Sequence, residues 1–173
     1  LASLELKVTI FQNNESLIPR MAQMTQKTNQ FNLTTKRYTE REIKNMLSSS
    51  TIDVYAFAVK DRFGDSGVTG LCIVKYRDNN TAEIDSFLMS CRVIGRNIEY
   101  IFLDYIVNAL CAINIQNIYS KYIETMKNRQ VENFFDDCLF RLENKTEAVN
   151  NYICIVKEYV KSNINYIEVV DND

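Results

Sequence analysis

The stretch Ile84-Asp85-Ser86-Phe87-Leu88-Met89-Ser90-Cys91-Arg92-Val93-Ile94-Gly95-Arg96-Asn97 decides how this chain is read. Its first half closes a run, Thr81 to Ser90, that reads as a strand after the turn signal Arg77-Asp78-Asn79-Asn80. Its second half leads into the clearest helix of the chain. There Ile98, Ile101, Phe102, Tyr105, Ile106, Ala109, Leu110 and Ile113 recur on one face at helical spacing. Between them, Arg92-x-x-Gly95-x-Asn97 lies where a strand ends and a helix begins. The first N–H groups of a helix have no partners within it, and the macrodipole adds partial positive charge there. A glycine lets the main chain come close to a ligand, and Arg92 and Arg96 add full charges. The bend therefore reads as a cradle for a diphosphate.

Outward from this bend the elements alternate. Leu4 to Ile10 follows the two-residue period of a half-buried strand. Ser16 and Pro19 mark a helix start, with Met21 and Met24 on its apolar face. A polar stretch, Lys27 to Thr35, breaks the pattern before Thr39 and Glu42 form a capping box ahead of Ile43, Met46 and Leu47. Asp53 to Lys60 and Val68 to Tyr76 read as strands joined by the turn Arg62 to Gly67, in which Arg62 and Asp65 shape and solvate the hairpin. Downstream, the pattern predicts a strand over Ile118 to Ile123 and a helix from about Arg129 to Asp137. Strands at Phe140 to Glu143 and Tyr152 to Tyr159 follow, turned by Asn144-Lys145-Thr146. The tail from Asn163 to Asp173 is either an edge strand or frayed.

The chain of 173 residues suits a single domain with its own core. A net charge of −2 argues against nucleic acid or an anionic membrane as partner. Histidine is absent, which excludes Ser-His-Asp and Cys-His catalysis and histidine-ligated metal within this chain. Five cysteines without a CxxC pair suit reduced thiols in a cytoplasmic protein, with no metal site. The longest apolar run, Tyr100 to Ile115, is interrupted by Asp104 and Asn108 and is too short and too polar for a bilayer.

Arg92-x-x-Gly95-x-Asn97 resembles the Q/R-x-x-G-x-G/A loop of GNAT acyltransferases, with Asn97 in place of the usual Gly or Ala. Asn tolerates left-handed backbone better than most residues. Asn128-x-x-Val131-x-x-Phe134-Phe135-x-x-x-x-Phe140 is similar to the family's N-x-x-A-x-x-F-Y-x-x-x-G-F segment. The resemblance implies an α/β GNAT acyl-CoA N-acyltransferase-like fold, a central mixed, mostly antiparallel sheet flanked by helices. It also implies a coenzyme A or 4'-phosphopantetheine thioester held between splayed central strands. Leu88, Met89, Ser90, Arg92, Val93, Ile94, Gly95, Arg96, Asn97, Asn128 and Phe135 would line that thioester.

A longer resemblance runs from about Leu6 to Phe140. Gln26 to Glu40, Asp61-Arg62-Phe63-Gly64-Asp65 and Phe87 to Arg96 are similar to the C-terminal domain of FkbH-like proteins. In that family a phosphatase-like domain of the haloacid dehalogenase (HAD) superfamily precedes the GNAT-like domain, and the pair is implicated in loading a glyceryl group onto an acyl carrier protein. The resemblance thus implies two partners: an acyl carrier protein and an upstream HAD-type domain. Residues 1–173 then form one GNAT-like domain from the C-terminal part of a longer protein, which fits an opening Leu1 in place of Met. The D-x-D-x-T motif of the HAD nucleophile is absent.

Several residues carry two readings. Phe135 stands where the family's Tyr protonates the departing thiolate, so the usual acid is missing. Cys91, beside Arg92 and near a helix start, is either a thiolate nucleophile or a small residue filling a tight bend. Asp85 and Glu83 share a strand face where the family often places a general base; burial raising the Asp85 pKa would suit that role, and a solvated strand face is the alternative. Asn29, Gln30, Asn32, Thr34, Thr35 and Arg37 would bind a hydroxylated acyl group or phosphate, or else cap helix ends. Two functions remain open. One is acyl transfer of a glyceryl or short acyl group; the other is non-catalytic docking of pantetheine and carrier protein for the upstream domain.

Overall fold

The computed structural model describes residues 2–172. Strand β1 (Leu6–Gln12) enters the sheet with Leu6, Val8 and Ile10 inward, as its alternation requires. The Asn14 side chain caps the turn that leads into α1 (Ile18–Lys27), which carries Pro19 in its first turn and buries Met21 and Met24. A two-residue strand, β2 (Phe31–Asn32), follows within what the sequence presents only as a polar break. In α2 (Glu40–Leu47) both halves of the Thr39–Glu42 capping box form, and Ile43 and Met46 are buried.

Strands β3 (Ile52–Asp61), β4 (Gly64–Tyr76) and β5 (Thr81–Met89) pair antiparallel in succession. The first hairpin turns at Arg62 and Phe63 alone, tighter than expected, because Asp61 Oδ1 accepts from the N–H groups of Phe63 and Gly64 at 2.8 and 3.1 Å. Helix α3 (Ile98–Ala112) is apolar on most sides and is buried accordingly, although Ile113 falls just past its end and is exposed. Strand β6 (Asn117–Ile123) then lies parallel to β5.

The helix expected from Arg129 to Asp137 is broken. A three-residue turn over Arg129–Val131 is followed by the single turn α4 (Phe134–Asp137). Strands β7 (Arg141–Lys145) and β8 (Val149–Ile155) are antiparallel, and Asn144 and Lys145 belong to β7 while Thr146 closes the turn onto Val149. Of the two readings of the tail, the edge strand is observed: β9 (Ile167–Asp171) pairs parallel with β1. Asp104 of α3 fastens the approach to β9 by accepting from the Tyr159 hydroxyl at 2.6 Å and the Ser162 N–H at 3.1 Å.

Among the described residues these strands form one mixed, mostly antiparallel sheet in the order β7-β8-β6-β5-β4-β3-β1-β9, with β2 beside β5. One face packs on α3 and α4 around Phe57, Phe87, Phe102 and Phe134; the other packs on α1 and α2 around Ile43, Leu71, Ile73 and Leu88.

Candidate functional site

Strands β5 and β6 pair only at Thr81–Asn117, Ala82–Ile118 and Glu83–Tyr119, and then part. The parting begins beside a bulge. Opposite β4 the register jumps from Val74–Ile84 to Ile73–Ser86, which leaves Asp85 as the extra residue on β5. The extra residue bends β5 away from β6, so the sheet opens into a cleft at the C-terminal end of both strands. Next to this opening, β5 runs into the Arg92–Asn97 bend.

The cleft is filled by the chain itself. Phe31 and Asn32 pair with Met89 and Leu88, and the Leu33 N–H donates to the Phe87 carbonyl at 3.1 Å. On the other edge, the Ile123 N–H donates to the Leu33 carbonyl at 2.8 Å. Residues 31–33 thus act as a strap that completes the sheet across the gap, with the Phe31 ring set against Phe87 and Phe134. This corrects the expectation of an open groove between splayed strands. The side chains of Leu88, Met89 and Val93 are buried, and the main chain of Leu88 and Met89 is already engaged by the strap.

Asn128 is fully buried and faces no groove. Its Nδ2 donates to the carbonyls of Asn32 and Ile123, both at 2.9 Å, and its Oδ1 accepts from the Thr125 N–H and the Tyr122 hydroxyl. Phe135 is likewise a core residue, stacked on Phe140 and packed against Tyr152. Neither is placed to touch a thioester while the strap is seated.

The predicted acceptor-binding segment mostly binds itself. Asn32 Nδ2 donates to the Thr28 carbonyl and its Oδ1 accepts from the Thr35 N–H, while the Thr34 hydroxyl donates to the Asp85 carbonyl. Arg37 donates to the carbonyls of Thr25 and Thr28 and to the Asn29 side chain. Asn32 and Arg37 thus bond carbonyls at the C-terminal end of α1, whereas Thr34 bonds strand β5 and the Thr35 hydroxyl is buried without a partner. Asn29 and Gln30 line a cavity between α1 and the bend.

Asp85 is buried and closely partnered. Its Oδ1 pairs with Lys36 at 2.8 Å and Lys75 at 3.1 Å, and its Oδ2 accepts from the hydroxyls of Tyr38 at 2.6 Å and Ser86 at 2.9 Å. Burial pushes its pKa up, but the bonds from Lys36 and Tyr38 and the two ammonium charges outweigh this and hold it below the ordinary 3.8. A carboxylate so held is a poor proton acceptor, which corrects the expected base. Glu83 is paired in the same way with Arg77 at 3.1 Å and Lys121 at 3.9 Å.

The bend keeps part of its expected character. Gly95 and Asn97 have φ of +86° and +63°, so Asn97 takes the left-handed conformation that the loop needs. The N–H groups of Gly95, Arg96 and Asn97 meet no acceptor among the described residues. Ile94 is half-buried and ends the turn that Ser90 begins. Arg96, however, is turned away onto Asp61 at 2.8 Å, so its charge is offset. Glu99, in the first turn of α3, places a buried carboxyl beside the bend, with Oε2 unpartnered and burial raising its pKa. The sequence reading did not weigh it, although an acidic residue two places past the bend is visible there.

Cys91 opens a three-residue turn, Cys91–Val93, and not the long helix. It is exposed, and with Ser90 and Arg92 it lines a cavity of about 440 Å³ between α1 and the bend. Arg20 and Lys27 of α1, which sequence reasoning missed, lie on the same wall. No group of three or more Cys, Asp or Glu side chains suited to a metal occurs among the described residues. No helix there is long and apolar enough to cross a membrane.

No protein-family model matches the chain, and no curated protein sequence does. Solved structures do. Spermidine N-acetyltransferase from Vibrio cholerae, in complex with CoA and spermine, superposes with a TM-score of 0.66 at 11% identity over 88% of this chain and 97% of that one. The ribosomal-protein-S18-alanine N-acetyltransferase from Escherichia coli gives 0.65 at 9% identity over 91% and 99%. Ard1 from Thermoplasma volcanium gives 0.64 at 14% identity over 86% and 97%. The chain has the GNAT fold. The likeness covers the fold alone: nothing in it links the chain to FkbH-like proteins in particular.

Proposed function

We propose that this chain is an acyltransferase domain of a longer protein. It takes an acyl thioester of coenzyme A or of carrier-protein phosphopantetheine at the β5–β6 cleft and moves a glyceryl or short acyl group, as the FkbH-like resemblance implies. The observation that carries this reading is the parting of β5 from β6 after Glu83 and Tyr119, directly beside the bend at Arg92–Asn97. Both edges of the cleft use their main-chain groups on an extended segment of peptide. An extended arm with amide groups, such as pantetheine, satisfies the same donors and acceptors once Phe31–Leu33 withdraws. The free N–H groups of Gly95 to Asn97 and the Arg92 guanidinium suit the phosphates.

The thioester supplies an activated carbonyl. Asp85 is held by Lys36 and Lys75 and does not serve as the base. The exposed Cys91 thiol is the nucleophile this chain offers. Its attack on the carbonyl forms a Cys91 thioester and releases the pantetheine thiol, which takes up the proton that Cys91 gives away. The second reading, a docking module without catalysis, is favoured by one observation: Phe135, at the position of the family's proton donor, is a buried core residue.

Calorimetry with coenzyme A, and intact-mass measurement after incubation with an acyl thioester, test both. The transferase reading expects binding and an acyl adduct on the parent that Cys91→Ala lacks. Binding with neither adduct nor turnover leaves the docking module. No binding of coenzyme A or of a phosphopantetheinylated carrier protein overturns both.

A further inference from the structure

The cavity between α1 and the bend borders the cleft: Phe31 of the strap, Cys91 and Arg92 line it, and it is present with the strap seated. Three cations, Arg20, Lys27 and Arg92, line it, and none of its lining residues is acidic. Among the described residues, eight of the chain's 20 lysines and arginines are in ion pairs: Lys7, Lys36, Lys75, Arg77, Arg96, Lys121, Arg129 and Arg141. Arg20, Lys27 and Arg92 are in no ion pair among the described residues. Arg20 donates only to neutral acceptors, the Val68 carbonyl at 3.0 Å and Gln23 Oε1 at 2.7 Å. Arg20 and Arg92 line the same cavity, and burial, followed by the charge of Arg92, lowers the Arg20 pKa. Like charges gathered in one concavity raise the local potential for an anion. Ser90 and Gln30 add neutral donors on the rim.

We infer that this cavity is a phosphate site, formed by Arg20 and Lys27 of α1 with Arg92 of the bend, for a phosphate monoester or diphosphate group. Two guanidinium forks and an ammonium match the several oxygens and the multiple charge of such a group better than a single carboxylate. The three cations line the cavity with the strap seated and Phe31 in its wall. The phosphate belongs either to the pantetheine-bearing nucleotide or to a small phosphate ester, and the two sources are separable. The Cys91 thiol on the same wall reports occupancy.

Inorganic pyrophosphate, coenzyme A and phosphate-free pantetheine are titrated calorimetrically at low salt into the parent, Arg20→Gln, Lys27→Gln and the control Lys7→Gln. Lys7 lies on β1 and is not among the residues lining the cavity, and its loss changes the net charge as Lys27→Gln does. The expected result is saturable pyrophosphate binding, weakened about tenfold in Arg20→Gln and in Lys27→Gln but not in Lys7→Gln. Pyrophosphate also slows alkylation of Cys91 and leaves the exposed Cys111 unaffected. Absence of pyrophosphate binding, or equal affinity in all four proteins, overturns the site. If coenzyme A then still binds the parent and Lys27→Gln alike, the thioester reading survives without it. Tight pyrophosphate binding with no gain for coenzyme A upholds the site and assigns it to a small phosphate ester.

Discussion

Asn128 donates from Nδ2 to the main-chain carbonyl of Asn32 at 2.9 Å, joining positions 96 apart in the sequence. The same nitrogen donates to the Ile123 carbonyl, so one buried amide ties the strap to the far edge of the cleft. The bond adds a side-chain tie to the main-chain pairing that makes the sheet continuous at this place.

Asn128→Ala removes these donors and leaves buried carbonyls unpaired, at a cost of about 3 kcal/mol. The expected sign is local: faster hydrogen exchange at the Leu33 and Ile123 amides, with the β3–β4 ladder unchanged. Addition of coenzyme A to the parent is expected to speed the Leu33 amide, which leaves the Phe87 carbonyl with the strap, while the Ile123 amide stays protected by the ligand that replaces Leu33. Unchanged or greater protection of the Leu33 amide would show that the strap stays seated.

Asp85→Asn removes the carboxylate shared by Lys36 and Lys75. Both lysines are more than a third exposed and recover water, so the expected loss is about 2 kcal/mol at pH 7, toward the low end for a buried pair. The folded-state pKa of Asp85 lies below its ordinary 3.8. Its contribution is therefore complete above that value and is lost as pH falls through the lower folded value. Denaturant melts of parent and variant should converge at acid pH and separate as pH rises past 4; a constant difference across the range would refute the assignment.

Gly70→Ala tests the packing behind the bend. A Cβ at Gly70 would lie 1.7 Å from the Phe57 ring, which is fully buried against Phe102. The ring has nowhere to move without displacing α3, so the expected penalty is about 3 kcal/mol, or close to 9 °C in melting temperature. Paired Phe57→Leu should recover part of it.

Glu99→Gln is expected to stabilise the fold at neutral pH. Burial raises the Glu99 pKa, so the charged form is disfavoured in the folded state. Its favourable contribution is present below the ordinary 4.5 and is lost as pH rises through the higher folded value. The amide, neutral at every pH, should raise the melting temperature by on the order of 2 °C at pH 7 and by less at pH 4. An unchanged difference between the two pH values would assign Glu99 to capping α3.

Short-range features were legible in the residues. The capping box at Thr39 and Glu42, the inward alternation of Leu6, Val8 and Ile10, and the apolar face of α3 each lie within one element, where propensity and period act directly. The bend at Gly95 and Asn97 was legible for the same reason, since positive φ is a property of single residues. Beyond that range the reading gave way. Arg129 to Asp137 has the spacing of a helix, yet it breaks at Glu132 and Asn133, where Val131, Phe134 and Phe135 turn into one aromatic core.

What the amino-acid sequence by itself determined is the order of elements, and with it the strand–bend–helix junction that marks a GNAT fold. Only the tertiary structure decided what occupies the space beside that junction. Residues 31–33 are too few to show a period, so their pairing with β5 and β6 follows from edges that the bulge at Asp85 leaves open. Asp85 looked like a base until Lys36, 49 positions away, and Lys75 of the neighbouring strand were brought onto it. Arg20, Lys27 and Arg92 converge for the same reason: charge complementarity across a fold depends on distance in space, which no local pattern encodes.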